Sequence, residues 1–189
     1  LPFLVSIVVV SYIVYGFLST ESGLINHTLV NSGRDKVSWY SDPTWWPVII
    51  VMVHAWKNIG YNCVLYYAAL MGIDASYYEA AEIDGATRWQ RIRFITLPAI
   101  RSTISIMVLM AIGKIFYSDF GLFYQVPMNS GPLIDVTNTI DTYVYRGLME
   151  TNNIGMSAAA GVYQSVVGFL LVVLANWTVR RQDADNALF

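Results

Sequence analysis

Four long apolar runs constrain this chain more than any other feature of its sequence. They cover residues 1–20, 46–71, 99–118 and 154–179. A helix needs about 20 apolar residues to cross the roughly 30 Å hydrocarbon core of a bilayer, which is the length that these runs have or exceed. Of all residues 56% are hydrophobic and 13% are charged, whereas soluble domains average about 25% charged residues. The sequence therefore predicts an all-α, polytopic membrane protein with four spans.

Basic residues predict how these spans are oriented. Arg88, Arg91, Arg93 and Arg101 lie between the second and third runs or just inside the third, and Arg180 and Arg181 follow the fourth. The other side holds three basic residues, diluted by seven acidic ones. Because loops rich in Lys and Arg stay on the cytoplasmic side, the segment 74–98 and the C-terminus are predicted to be cytoplasmic. The loops 21–45 and 119–153 are then predicted to face outward.

The start of the chain is predicted to be internal to a longer sequence. It begins Leu1-Pro2-Phe3, with no initiator Met and no charged stretch ahead of the first apolar run. A secretory signal peptide has a basic start and a small-residue cleavage site, and neither is visible. We therefore expect further sequence upstream of Leu1.

The polar segment between the second and third runs carries residues that start and stop helices. Ser76 followed by Glu79, and Thr87 followed by Gln90, have the spacing of a capping box, so a helix is predicted to start at each. Gly85 is predicted to end the first of these helices, because glycine accepts the left-handed backbone conformation at little cost. The segment should therefore form a rigid elbow.

The same segment contains a longer pattern. It reads Glu79-Ala80-Ala81-Glu82-Ile83-Asp84-Gly85-Ala86 and continues, after nine residues, with Ile95-Thr96-Leu97-Pro98. This pattern resembles the EAA loop of the inner-membrane permease subunits of binding-protein-dependent ABC importers, in which the loop forms a coupling helix that docks on an ATPase subunit. The resemblance implies that the ATPase contact is made by Glu79, Ala80, Ala81, Asp84 and Gly85. Since proline cannot continue a helix but can open one, the third span is predicted to begin at Pro98.

Two other interpretations of this segment stay open. It could be an amphipathic connector at the membrane surface, with Arg88, Arg91 and Arg93 touching lipid phosphates. Glu79 could also serve only to cap its own helix.

The resemblance implies a fold and a set of partners. The fold would be a helical bundle of the maltose-transporter type that lacks about two upstream helices, in the bacterial cytoplasmic (inner) membrane. The function would be ATP-driven import of a sugar or oligosaccharide, together with a second permease subunit, two cytoplasmic ATPase subunits and an external solute-binding protein. ATP and Mg would be bound by the ATPase subunits, and this chain would hold no cofactor. The stretches 72–74 and 140–146 resemble permeases for complex oligosaccharides and polysaccharides.

A polar face on the second span is the candidate solute path. It carries His54, Lys57, Asn58, Tyr61 and Asn62, which fall within an arc of roughly 140° at helical spacing. A lysine near the middle of a span costs about 2.5–3.5 kcal/mol on insertion scales unless it faces a polar interior. His54, Lys57, Asn58 and Tyr61 are therefore predicted to line the path, and packing within the bundle is the alternative.

The fourth span offers one more candidate. Ser157, Gly161, Gln164 and Gly168 share a narrow arc, and small residues on one face favour close helix packing. Gln164 is the weaker second candidate for a solute contact.

The outer loops are rich in aromatic residues. They hold Trp39, Tyr40, Trp45, Trp46, Phe120, Phe123, Tyr124, Tyr143 and Tyr145. Several are expected to belong to the aromatic belt at the membrane surface. Others are expected to rest against an external partner.

The sequence contains no catalytic or metal-binding motif. There is no G-x-x-x-x-G-K-[ST] loop for ATP phosphates, the two histidines cannot form a zinc site, and no basic stripe suggests nucleic acid. The chain is therefore predicted not to be an enzyme. An ion-coupled secondary transporter or channel is the rival class, although none of the four spans carries the carboxylate that such coupling favours. A membrane scaffold whose elbow recruits a soluble protein is a second rival.

Overall fold

The structure is a computed structural model that describes residues 2–182. Its α-helices are α1 (Ile7–Leu18), α2 (Leu24–Asn31), α3 (Trp46–Met71), α4 (Ala75–Ile83), α5 (Arg88–Arg91), α6 (Leu97–Ala99), α7 (Arg101–Gly113), α8 (Ile134–Thr137), α9 (Ile140–Met149) and α10 (Ile154–Gln182). Short 3-10 turns lie at Pro2–Leu4, Pro43–Trp45 and Gly131–Leu133, and π-helical turns lie at Ile92–Thr96 and Gly121–Gln125. All regular structure in the described residues is helical, which confirms the all-α prediction.

Two helices of the described chain are long and apolar enough to cross a membrane. They are the helical stretch Pro43–Met71 and the part of α10 from Ile154 to Trp177. Only 11% of the apolar window of each is buried within the chain. Such exposed apolar faces need lipid or another subunit as their surroundings. The predicted span 1–20 contains the shorter helix α1, and its crossing stays a prediction.

The third predicted span is broken. Arg88–Ala99 and Arg101–Gly113 pass together as one candidate, but they are bent by 63° relative to each other. Pro98 does not open the long helix as expected, because it lies at the second position of α6 and the long helix begins at Arg101. Proline has no N–H to donate, so the preceding turn can widen into the π-helix Ile92–Thr96.

The described chain divides into two compact units. The first comprises the chain up to Gly60 and Phe116–Ser165, and the second comprises Tyr61–Ile115 and the chain from Val166. The core of the first unit is formed by Trp46, Ile50, Leu122, Val126 and Leu133. The second unit holds the elbow between α3 and α7.

Trp46 is the centre of the first unit's core. Its side chain is fully buried, its Nε1 donates to the Trp39 carbonyl at 2.6 Å, and the Tyr40 ring lies 5.1 Å away. Burial raises the pKa of the Tyr40 hydroxyl, and the neighbouring Tyr15 raises it further. Trp46 is therefore a core residue, not a member of an exposed aromatic belt, because the structured loops 21–45 and 119–153 cover it.

Asn26 holds the loop between α1 and α3 in place. Its side chain is 2% exposed, its Nδ2 donates to the Val37 carbonyl at 2.8 Å, and its Oδ1 accepts from the Val37 N–H at 3.0 Å. These two hydrogen bonds resemble the backbone pairing of two strands. They hold the stretch after α2 against that helix. The loop that follows α1 is thereby held in one conformation.

Replacing Trp46 should test how far the first unit depends on this core. Trp46→Ala should destabilise the protein by about 3–5 kcal/mol, because a large buried ring leaves a cavity. Trp45→Ala is the matched control, since the Trp45 side chain is 50% exposed. The measurement is the thermal unfolding midpoint of the purified protein in detergent. Equal shifts for both variants would contradict the assigned core.

Candidate coupling elbow and solute path

The first helix of the elbow, residues 74–98, begins two residues earlier than its sequence suggests. Helix α4 starts at Ala75 and is capped by Asp74, whose Oδ1 accepts from the Ser76 N–H at 2.9 Å. The predicted start with Ser76 as the cap and Glu79 as its partner is therefore wrong. Asp74 occupies that position because an extended aspartate at the N-cap reaches the first free N–H groups. The hydrogen bonds from the Ser76 backbone and then its side chain lower the pKa of Asp74.

Gly85 ends α4 as predicted. Its φ is +74°, and its N–H donates to the Glu82 carbonyl at 3.0 Å. The next N–H, that of Ala86, reaches back to the Ala81 carbonyl at 2.9 Å. These two hydrogen bonds form a Schellman motif, in which a left-handed glycine ends the helix. The chain therefore reverses direction without leaving these end carbonyls unpaired.

The second half of the elbow starts with the predicted capping box. The Thr87 N–H donates to Gln90 Oε1 at 2.7 Å, and the Gln90 N–H donates to Thr87 Oγ1 at 3.4 Å. Helix α5 then runs into the π-helix Ile92–Thr96. The prediction of a second helix start at Thr87 is confirmed.

Two side-chain contacts tie the halves of the elbow together. The Tyr78 hydroxyl lies 2.9 Å from Thr96 Oγ1, a hydrogen bond that is partly buried. Arg91 Nη1 lies 3.3 Å from Glu82 Oε2 in an exposed ion pair. Exposed pairs contribute little to stability, so the hydrogen bond and the glycine turn provide most of the stiffness.

The surface of the elbow is more apolar than its motif suggests. Glu79, Ala80, Asp84 and Gly85 are exposed and Ala81 is half-buried. The four most exposed of its large apolar residues, which we call the elbow crest, are Tyr77, Ile83, Trp89 and Phe94, with 63%, 88%, 69% and 69% of their surfaces accessible. The motif did not single these residues out. The one sign of this apolar surface in the sequence is Ile83, which lies between the acidic residues Glu82 and Asp84.

Lys57, the most polar residue of the predicted path, contacts the N-terminal segment. Its Nζ donates to the Phe3 carbonyl at 3.1 Å and to the Val5 carbonyl at 2.7 Å. It also lies 5.8 Å from the centre of the Phe3 ring. The charge is thus satisfied within the chain, and its role toward a solute stays a prediction.

The other candidates on α3 present polar atoms on one helix. Asn58 Nδ2 donates to the His54 carbonyl at 2.9 Å and lies 3.3 Å from His54 Nδ1. His54 is exposed, Asn58 is half-buried and Tyr61 is 40% exposed. Together with Lys57 they lie on consecutive turns of α3, as the spacing predicts, and their contact with a solute is untested.

Gln164 lies in a buried polar cluster. It is 4% exposed, and its Nε2 donates to the Phe116 carbonyl and to Asp141 Oδ1, the latter at 3.1 Å. The other oxygen of Asp141 accepts from the Ser118 N–H at 2.6 Å and from its hydroxyl at 2.7 Å. In this conformation Gln164 therefore joins α10 to α9 and to the stretch after α7. The sequence did not indicate its partner, Asp141, because the two lie on different helices.

The model of one protein family matches almost the whole chain. The family described as the binding-protein-dependent transport system inner membrane component matches residues 1–184. Protein LplB of Bacillus subtilis (strain 168) is 35% identical over 185 residues, which are 98% of this chain and 58% of LplB. The polygalacturonan/rhamnogalacturonan transport system permease protein YteP of the same organism is 31% identical over 176 residues, which are 93% of this chain and 54% of YteP. The chain thus spans little more than half the length of these relatives.

A solved structure agrees with this result. It is the crystal structure of a bacterial alginate ABC transporter in complex with an alginate pentasaccharide-bound periplasmic protein. One of its chains is 35% identical to this protein with a TM-score of 0.88, and the match covers 96% of this chain and 62% of that one.

Replacing Gly85 should loosen the elbow through backbone strain alone. Nothing lies within 4 Å of the place where a Cβ would stand, so Gly85→Ala creates no clash. A left-handed alanine nevertheless costs about 1 kcal/mol or more, and hydrogen exchange of the Ala86 amide should accelerate. Gly161→Ala is the matched control, because Gly161 lies within α10 with open space around it. Unchanged exchange in Gly85→Ala would contradict the assigned turn.

Proposed function

Because this chain belongs to the family of binding-protein-dependent transport system inner membrane components, we propose that it is a permease subunit of an ATP-driven importer for a sugar or oligosaccharide. The family match and the sugar permeases among its relatives support the class. The importer mechanism is supported by the elbow.

The observation that carries the mechanism is an exposed apolar crest on a stiff elbow. Ile83 is 88% exposed beside Asp84 and Gly85, the end of the EAA pattern. Together with Tyr77, Trp89 and Phe94, this isoleucine gives the elbow several exposed large apolar side chains, which supports a contact with another protein. An ATPase groove is the occupant that the motif favours, and Glu79, Ala80 and Ala81 extend the same contact.

Coupling follows from the stiffness of this segment. Closure of two ATPase subunits on ATP displaces α4, and the glycine turn and the Tyr78–Thr96 bond transmit the displacement to α7. A flexible loop would absorb the motion, whereas a closed elbow passes it on as rigid-body rotation of the spans. The rotation alternates the solute path between the two sides of the membrane.

The remaining parts of the importer come from other chains. A second permease subunit completes the path and covers the exposed apolar faces of α3 and α10. ATP and Mg bind in the ATPase subunits, and an external solute-binding protein delivers the solute. The elbow and the C-terminus face the cytoplasm of a bacterium, and the loops 21–45 and 119–153 face outward.

The solute class is left at sugar or oligosaccharide. YteP and the solved transporter are named for polygalacturonan and alginate, which are acidic sugars. A further relative, the lactose transport system permease protein LacF of Rhizobium radiobacter, is 34% identical over 148 residues and is named for a neutral sugar. Lys57 would favour an acidic sugar only if its ammonium left the Phe3 and Val5 carbonyls. His54, Asn58 and Tyr61 offer donors and an aromatic ring to either kind, and Gln164 would join them if its cluster opened.

The coupling contact is tested by removing one apolar side chain. In vesicles containing the complete transporter, Ile83→Ser should lower ATP-driven uptake roughly tenfold or more, as for a buried residue at the centre of an interface. Glu79→Ala should lower it as well. Val30→Ser, an exposed apolar residue of α2 that is 47% accessible, is the matched control and should leave uptake unchanged.

Two results would count against this function. Uptake that continues without ATP would favour an ion-coupled transporter or channel. Full activity of the Ile83 and Glu79 variants, in a complex that still contains the ATPase, would leave the elbow without a role in coupling.

Orientation is tested by cysteine labelling. After Cys63→Ser, Asp135→Cys should react with a membrane-impermeant maleimide in intact cells, and Arg88→Cys should react only after permeabilisation. Both residues are exposed, so access to the reagent depends on the side of the membrane. The reverse pattern would refute the cytoplasmic elbow.

A further inference from the structure

Arg146 joins the two ends of one stretch of chain, residues 129–138, which we call the outer segment. It lies in α9 and is 8% exposed. Its Nε donates to Asn129 Oδ1 at 3.1 Å, and its Nη1 donates to Asn138 Oδ1 at 2.8 Å. Its guanidinium also lies 5.7 Å from the centre of the Tyr124 ring, within the range of a cation–π contact. One side chain therefore clamps both ends of the outer segment.

The outer segment begins in a conformation that needs such support. Met128 and Asn129 have φ angles of +56° and +47°. Two consecutive left-handed residues that both carry a Cβ are unusual and persist only where their surroundings hold them. Asn129 is held from both sides, because its Oδ1 accepts from Arg146 and its Nδ2 lies 3.4 Å from Glu150 Oε1.

The middle of the outer segment is anchored but leaves an exposed edge. Ser130 Oγ donates to the Tyr40 carbonyl at 2.7 Å, and Leu133 is fully buried in the core of the first unit. Gly131, Pro132 and Asp135 lie between or beside these anchors and are exposed. The segment therefore presents a short polar edge on a fixed base.

Stability alone does not explain an arginine at this position. Its Nη2 is buried without a hydrogen-bond partner among the described residues. Across residues 2–182 the ion pairs are Lys36–Glu21 and Arg91–Glu82, so the acceptors of Arg146 are neutral amides. A buried charge without an opposite partner opposes folding, and an apolar side chain of similar length would avoid that cost. Only the guanidinium fork, however, can reach two oxygens in fixed directions at once.

We propose that Arg146 is a positioning residue that pre-shapes the outer segment for docking of the solute-binding protein. The inference rests on the proposed function, because that function supplies the external partner. A segment already held in its bound shape loses less conformational entropy when the partner arrives, so the clamp raises affinity without touching the partner. The edge formed by Gly131, Pro132 and Asp135 makes the contact, and the carboxylate of Asp135 favours a basic or amide group on the binding protein.

The test compares variants of the complete transporter in lipid nanodiscs. Arg146→Met removes the donors and keeps the length of the side chain, and Arg146→Lys keeps the charge but not the fork. Arg34→Met removes an exposed charge from the same predicted side and is the matched control. The readouts are the basal ATPase rate, the maximal rate, and the concentration of binding protein that gives half-maximal stimulation.

Arg146→Met should raise the half-maximal concentration roughly five- to tenfold, with basal and maximal rates within about twofold of the wild type. Arg146→Lys should give a smaller rise, because an ammonium cannot reach both amide oxygens in the required directions. Arg34→Met should leave all three values unchanged. An unchanged half-maximal concentration in Arg146→Met, or an equal loss of basal and maximal rates, would overturn the proposal.

A second variant keeps the proposal testable should Arg146→Met fail to assemble. Asn129→Gly keeps the left-handed backbone accessible and removes one acceptor of the clamp. It should raise the half-maximal concentration in the same direction, and no change would overturn the proposal.

Hydrogen exchange tests the clamp formed by Arg146 independently of the proposed transport function. Without ATP or binding protein, the amides of Asn129, Leu133 and Asn138 should exchange faster in Arg146→Met than in Arg34→Met. Equal exchange would overturn the clamp itself. A wild-type complex that no binding protein stimulates would instead overturn the proposed function and the docking role, while the exchange result would still decide the clamp.

Discussion

A polypeptide in hydrocarbon must satisfy its own backbone hydrogen bonds, and the rest of this structure depends on that constraint. Water is absent from the bilayer core, so each apolar run has to be helical before any side-chain contact forms. Only 11% of the apolar windows of α3 and α10 is buried within the chain. These helices are therefore stabilised by their own backbone hydrogen bonds and by the apolar surroundings that their exposed faces require.

Polar contacts provide the fixed geometry that apolar packing does not. In the second unit, the Asp74 cap, the left-handed Gly85 and the Thr87–Gln90 box close each helix end of the elbow. In the first unit, Arg146 and Asn26 hold the loops that precede α9 and α3 through side-chain hydrogen bonds to Asn129 and Val37. Each of these contacts satisfies backbone or amide groups, so these segments are held in one conformation although they lie outside the apolar helices.

Polar residues within the apolar helices can contact a solute or form hydrogen bonds inside the chain. Their spacing in the sequence does not distinguish these two roles. Lys57 and Gln164 were candidates for the solute path on the same reasoning, that an intramembrane polar group needs a polar neighbour. In the structure their neighbours are carbonyls of Phe3, Val5 and Phe116 and the carboxylate of Asp141. A solute that bound to either residue would have to compete with these internal acceptors.

The sequence by itself determined the helical class, the elbow with its glycine turn and its second capping box, and the family, because these follow from run length, backbone preference and a local motif. The sequence-based predictions were wrong where the outcome depended on groups distant in the chain, or where two neighbouring residues could each cap the same helix. Asp74 rather than Ser76 caps α4, and Pro98 follows a widened turn instead of opening the long helix. Trp46 is a core residue because the loops 21–45 and 119–153 cover it. Only the tertiary structure could pair Gln164 with Asp141 and Arg146 with Asn129 and Asn138, since no local rule links side chains that folding alone brings together.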